Sequence, residues 1–274
     1  AVGAAVELNA PVILATSSSA IKYAGIETLV AMVRSVADRA PVPVALHLDH
    51  GEDLAQAELC MKHGYTSVMI DASHAPLEEN IRISREVVQR ARLMGVTVEA
   101  ELGRLGGIED HVKVSEREAF LTDPDDAARF VRESGCDALA VAVGTSHGAY
   151  KFKGRPVIDF ERISAIKRRV GIALVLHGAS SVDPASVADI NRYGGHLEDA
   201  HGLDEPSYRE AILRGINKVN IDTDLRLKWT AVLRRLLAEK PGEFDPRKLL
   251  GPARDAVREV IKEKIRLLGS AGKA

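Results

Sequence analysis

Leu46-His47-Leu48-Asp49-His50-Gly51, Gly144-Thr145-Ser146-His147-Gly148 and Leu174-Val175-Leu176-His177-Gly178 each carry a histidine where an apolar run gives out. Seven such runs recur along the chain: Pro11–Ser17, Val42–Asp49, Ser67–Ser73, Val96–Gly103, Ala138–Gly144, Ile172–Leu176 and Lys218–Asp222. Their apolarity is nearly continuous rather than alternating, the mark of strands covered on both faces, as in parallel sheets. Longer amphipathic stretches separate them. Pro76–Met94 has Leu77, Ile81, Val87, Val88 and Ala91 on one side, and Asp123–Ser134 opens on an Asp-Pro start signal. This alternation predicts βα units and a right-handed parallel arrangement, an α/β chain folded as a (β/α)8 TIM barrel. A closed barrel needs eight strands. Ala1–Leu8 reads as the tail of a helix with no strand before it, so the expectation is a missing first βα unit of about 30 residues. An open seven-stranded sheet is the alternative, and it would leave two raw edges.

The bulk properties agree. Barrels of this kind commonly reach about 250 residues as a single domain, and the 274 residues here are read as one domain, 1–274. The helical C-terminal part, roughly 225–268, is expected to pack on the barrel or on a neighbouring subunit. Hydrophobic residues make up 46% and charged residues 28% of the chain, an ordinary globular composition. A formal charge of -2 offers no basic field for nucleic acid or an anionic membrane. No apolar run approaches the ~20 residues of a membrane span, and no signal sequence is evident. The two cysteines, Cys60 and Cys136, read as buried thiols in a reducing cytoplasm. The polar insertion from Gly194 to Pro206 carries His196 and His201, read as surface histidines, and Trp229 reads as a packing or subunit-contact residue.

Side chains leaving the ends of distant strands converge on one rim of a barrel, where barrel enzymes do their chemistry. His50, His147 and His177 share that placement, and each precedes a glycine that lets the backbone approach a ligand. Three neutral imidazoles with an open fourth position suit catalytic zinc, with cobalt or iron as substitutes. Asp49 adjoins His50, and both serve one site only if the chain turns there, a turn that Gly51 would permit. Asp49 is then a general acid/base beside the metal, or else a helix-capping carboxylate. His47 reads as a buried hydrogen-bonding neighbour. Asp71 and Glu101 are strand carboxylates that need partners if buried, so they are second-layer supports for histidine or an alternative metal position; Glu99 is equally well a structural ion pair. Arg104–Asp110 reads as a glycine-hinged polar loop able to bring in Glu109. Gly148 with Lys151, Gly178–Ser181 and Asn220–Asp224 combine small residues, hydroxyls and a lysine, as phosphate pockets at the last strands of barrels do.

At these residues the chain resembles the class II, metal-dependent fructose-1,6-bisphosphate aldolases. The likeness runs through His47–Gly51, Ser67–His74, Val98–Gly103, Gly144–Lys151, Leu174–Ser180 and Lys218–Arg226, in order and nearly end to end. The resemblance implies zinc on His50, His147 and His177, with Asp49 exchanging the C4 hydroxyl proton. It implies Glu109 for the C3 proton of dihydroxyacetone phosphate, and Asp71 and Glu101 along the buried metal path. Gly148, Lys151, Gly178, Ser180 and Thr223 would hold the C1 phosphate, with a monovalent cation near that site. Asn220 would contact the enediolate, Asp222 would organise the pocket and Ser17 would face substrate. An arginine from a neighbouring subunit, with Arg254 as the candidate, would hold the second phosphate of a homodimer or homotetramer. The implied function is reversible cleavage of fructose 1,6-bisphosphate in glycolysis and gluconeogenesis.

The nearest rival is a tagatose-1,6-bisphosphate aldolase. That branch tends to lack the aspartate matching Asp222 and the Tyr150–Gly154 stretch, both present here, which favours fructose. A non-catalytic sugar-phosphate-binding barrel is disfavoured because every metal and acid/base position is intact. A Schiff-base route would need a lysine at a strand end, whereas Lys218 starts its strand and Lys151 is assigned to phosphate.

Overall fold

The computed structural model describes residues 1–104, 106–109, 112–114, 120–147, 158–197 and 200–274. In chain order the elements are α1 (Val2–Glu7), β1 (Val12–Ser17), α2 (Ser18–Ala24), α3 (Ile26–Ala37), β2 (Val44–Gly51), α4 (Leu54–Lys62), β3 (Ser67–Ile70), α5 (Leu77–Met94) and β4 (Thr97–Leu102). There follow β5 (Gly106–Glu109), β6 (Val112–Val114), α6 (Pro124–Ser134), β7 (Ala138–Val141), β8 (Ser146–His147), α7 (Phe160–Val170), β9 (Ala173–Leu176), α8 (Pro184–Arg192), α9 (Glu205–Arg214), β10 (Ile216–Val219), α10 (Thr223–Glu239) and α11 (Pro246–Leu267).

All seven anticipated strands are present and pair in parallel in the order β1-β2-β3-β4-β7-β9-β10. The sheet curls into a half-barrel with helices on its outer face. Among the described residues β1 and β10 are its edges, and a cavity of about 1080 Å³ opens between them.

Parity along each strand divides the sheet into two chemistries. Leu46, Leu48, Val68, Ile70, Val98, Ala100, Leu102, Leu139, Val141, Leu174 and Leu176 join one apolar cluster with Val87, Val88, Phe130, Ile163 and Ile166 of the surrounding helices. The alternate residues His47, Glu99, Glu101 and His177 are buried on the opposite, concave face. Apolar burial drives the outer layer, and the polar inner layer persists only because its members bond one another.

Helix signals worked as physics requires. Asp53, Asp123, Asp159, Asp183, Asp204 and Asp245 each cap the helix that follows, accepting a backbone N–H. Gly95, Gly135 and Gly171 end α5, α6 and α7 in the left-handed conformation. The C-terminal α10 packs on α8 and α11, and α11 also touches α1 and α9. Trp229 packs against the cluster of Val232, Leu236 and Ala253. Cys60 and Cys136 are buried and unbridged, while His196 and His201 are exposed.

Two expectations need correction. The Arg104–Asp110 segment is not all loop: Gly106 and Gly107 pair in parallel with Ser146 and His147, and Gly107–Glu109 pairs antiparallel with Val112–Val114. The turn after Asp49 is not made at Gly51, for a reason that lies in β2 itself.

Candidate metal centre and active site

The β2–β3 ladder pairs His47 with Ser67 and Leu48 with Val68, then Gly51 with Ile70. One extra residue on β2 makes a bulge there. His50 takes the bend with φ +48°, a left-handed conformation that costs a branched or aromatic residue about 1 kcal/mol. The bulge brings two consecutive residues to one site: donor atoms of Asp49, His50 and His177 lie within 4.8 Å of one another. Gly51 has a different duty. A Cβ there would lie 2.3 Å from the Met69 carbonyl oxygen, so the position demands room rather than a turn.

His50 and His177 form the heart of the site. Nδ1 of His50 meets Asp71 Oδ2 at 2.9 Å, and Nε2 of His177 meets Glu99 Oε1 at 2.9 Å. Those carboxylates fix both tautomers. The remaining nitrogens, His50 Nε2 and His177 Nδ1, then face each other at a hydrogen-bonding separation of 3.1 Å. A proton bridges that gap in the metal-free protein, and a bound cation would take its place. Close by, Glu101 Oε2 is buried with no hydrogen-bond partner among the described residues, 3.4 Å from His177 Nδ1. An orphaned carboxylate oxygen beside two facing imidazole nitrogens is a donor set that fits a divalent metal.

Electrostatics bear the marks of this crowding. Burial alone would lower the His50 pKa, but the hydrogen bond to Asp71 and the nearby Asp49 and Glu101 charges push it up to about 10. Burial and the neighbouring Asp71 drive Glu101 well above the usual carboxylate range. For Glu99, the Lys218 ammonium and the His177 hydrogen bond overcome burial and hold the carboxylate well below that range. Asp71 is likewise lowered: burial would raise it, but the hydrogen bond and charge of His50 together with the Ser73 hydrogen bonds outweigh burial. Burial and then Lys218 depress His47 to about 4.

Behind the histidines runs a chain that sequence reasoning only half saw. Lys218 Nζ donates to Glu99 Oε2 at 2.7 Å and lies 3.5 Å from His47 Nε2, whose Nδ1 reaches Ser67 Oγ at 2.8 Å. Glu99 is therefore both an ion-pair partner and the support of His177. The parity of Glu99 with Glu101 was the available signal; the lysine across the sheet was not visible in the sequence.

Asn220 Nδ2 donates to Asp49 Oδ1 at 2.8 Å. Ser17 lies opposite Asp49 in the β1–β2 ladder and caps α2 by accepting from the Ala20 amide. Ser17, Asp49, His50, Asn220, Asp222 and Arg226 line one end of the cavity. Arg226, to which sequence reasoning gave no role, pairs with Asp222 at 2.6 Å; its helical i,i+4 spacing was the signal. Gly178 has φ +59°, and a Cβ there would lie 2.6 Å from the Ser146 backbone, so the two histidine-bearing segments touch. Ser180 is buried beside it, and Thr223 starts α10. Arg254 lies on an exposed stretch of α11, bonded to Asp255, and does not line the cavity. Gly148 and Lys151 lie outside the described residues, as do the side chains of Glu109 and His147.

Comparison with known proteins agrees with this geometry. The family described as fructose-bisphosphate aldolase class-II matches residues 1–273. A fructose-bisphosphate aldolase of Thermus caldophilus is 52% identical over 271 residues, covering 99% of this chain and 88% of the relative. One from Helicobacter pylori is 49% identical, covering 97% and 87% respectively. Among solved structures, the YdjI aldolase from Escherichia coli K12 superposes with a TM-score of 0.77 at 33% identity, over 100% of this chain and 87% of that one. The chain belongs to the class II fructose-bisphosphate aldolase family.

Proposed function

We propose that this protein is a zinc-dependent lyase that cleaves fructose 1,6-bisphosphate reversibly to dihydroxyacetone phosphate and glyceraldehyde 3-phosphate. The observation that carries the reading is the opposed pair of His50 Nε2 and His177 Nδ1, each ring braced by a carboxylate, with Asp49 alongside. His50, His177 and, by the family resemblance, His147 would hold the metal. When bound, zinc supplies Lewis-acid withdrawal of charge from the ketose carbonyl.

The chain's own residues supply the rest. Asp49, aligned by the amide of Asn220, takes the proton of the C4 hydroxyl as the C3–C4 bond breaks. The bond's electron pair stays with C3, and the aldehyde half leaves. A proton returned to C3, the role assigned to Glu109, completes dihydroxyacetone phosphate. Gly178, Ser180 and Thr223 with Gly148 and Lys151 receive the C1 phosphate, Ser17 and Asp222 border the sugar, and the phosphate pocket would take a monovalent cation beside them. Asp71 and Glu101, grouped with His50, would give the metal an alternative set of ligands.

The same reading makes the protein a glycolytic and gluconeogenic enzyme of the cytoplasm, a compartment that suits two buried, unbridged cysteines. Among the described residues no helix is long and apolar enough to cross a membrane. The assembly that fits is a homodimer or homotetramer, with the exposed Leu237, Phe244 and Leu250 of the α10–α11 region as contact surface and Arg254 reaching a neighbour's second phosphate.

Metal analysis combined with cleavage assays on fructose and tagatose 1,6-bisphosphates tests this directly. We expect zinc, a preference for the fructose epimer and loss of turnover on chelation. Borohydride added with substrate should trap no adduct. A trapped lysine adduct, or turnover unaffected by chelator, would refute the mechanism, and a preference for tagatose bisphosphate would reassign the substrate.

A further inference from the structure

The segment after β9 is gripped from behind by three helices. Asp224, in the first turn of α10 and only 3% exposed, spends both carboxylate oxygens on it. Oδ2 accepts the Ser181 amide at 2.9 Å and the Ser181 hydroxyl at 3.1 Å, and Oδ1 accepts the Val182 amide at 2.7 Å. From α11, Lys264 Nζ pairs with Asp224 at 3.0 Å and donates to Ser181 Oγ at 2.6 Å. From α9, the Tyr208 hydroxyl donates to the Ala179 carbonyl, and its ring lies 4.9 Å below the Lys264 ammonium.

This clamp enforces a backbone the segment would not adopt alone. Val182 has φ +54°, an outlying conformation for a β-branched residue that persists only where surroundings over-determine it. A buried carboxylate receiving two amides, a hydroxyl and an ammonium supplies that determination. With the Ser181 and Val182 amides committed to Asp224, the segment's remaining donors are those of Gly178 to Ser180.

We propose that Asp224, backed by Lys264, is a positioning residue for the substrate's phosphate: it fixes residues 178–182 so that the donors of Gly178 and Ser180 are pre-set for an oxyanion. The inference rests on the proposed aldolase function and adds to it a residue that touches neither sugar nor metal. Pre-set donors bind without reorganising, so the contribution falls on affinity for the phosphate and not on the bond-breaking step.

The test is Asp224→Asn in the full-length protein, after wild-type turnover of fructose 1,6-bisphosphate has been established. One charge-assisted amide bond is lost, and we expect KM for the bisphosphate and the inhibition constant of inorganic phosphate to rise together, each about tenfold, with kcat within threefold and zinc content unchanged. A folded variant with wild-type phosphate inhibition, or one losing kcat at unchanged KM, overturns the proposal. Should Asp224→Asn fail to fold, Lys264→Met keeps both amide bonds and loosens only their backing; a smaller parallel rise, about threefold, supports the proposal and no rise overturns it. A wild-type protein without turnover would instead count against the aldolase reading.

Discussion

Replacing Glu99 by glutamine separates support of the metal from support of the fold. The side chain is 3% exposed and serves two masters, Lys218 Nζ at 2.7 Å and His177 Nε2 at 2.9 Å. Glutamine keeps the shape and removes the charge. Lys218, with its side chain 15% exposed, is then left nearly buried without its counterion, a change that costs about 3 kcal/mol. At roughly 2–4 °C per kcal/mol for a chain of this size, the metal-free protein should melt about 6–12 °C lower. His177 meanwhile loses the carboxylate that fixes its tautomer, which lowers zinc affinity about 10–100-fold. Calorimetric melting and competition against a chromophoric chelator read the two effects separately. Adding Lys218→Met to Glu99→Gln removes the stranded ammonium and should restore most of the melting temperature while leaving zinc affinity low. Wild-type zinc affinity in the folded single variant would refute the assignment of Glu99 to His177, and recovery of affinity in the double variant would show that the metal felt only the stranded charge.

Two further outcomes follow from the same geometry. Asp49→Ala should retain zinc, measured by elemental analysis, yet lower kcat about 10²–10⁴-fold; near-normal turnover would remove Asp49 from proton transfer. Because the His50 pKa is pushed up to about 10 in the metal-free protein, that imidazole is protonated at neutral pH, and zinc must displace the proton. Affinity should therefore rise with pH, about tenfold per unit between pH 6 and 8 for each proton released. Titration calorimetry in buffers of differing ionisation heat should register at least one proton; a heat independent of buffer would contradict it.

What was legible in the sequence follows from what is local. The inner strands β2, β3, β4, β7 and β9 read directly because burial on both faces leaves a near-continuous apolar signature. The edge strands β1 and β10 read from their own short runs, and α5 and α6 read because caps and period are local. His50, His177 and Asp49 were legible because each ends such a run, and the structure brings their donor atoms together. The short strands β5, β6 and β8 carry no apolar run, and their pairing with one another is what marks them as strands. The role of Gly51 was misread because a glycine's need for space depends on the Met69 carbonyl of the next strand, eighteen residues away in sequence. Lys218 reaching Glu99, and Asp224 reaching Ser181 and Val182, join elements 119 and 43 or 42 residues apart. No period or spacing encodes such meetings.

The bulge in β2 ties two kinds of chemistry to one joint. Asp49 and His50 are neighbours on the same bend, so the proposed proton carrier and the proposed metal ligand are geared together: a backbone shift that swings one swings the other. On the proposed function, redesign toward a longer or differently branched ketose could not adjust this corner without unsettling the metal site. The freedom to change diet lies in walls built on other elements, at Ser17 and Arg226, which belong to another strand and a helix and can be exchanged one at a time.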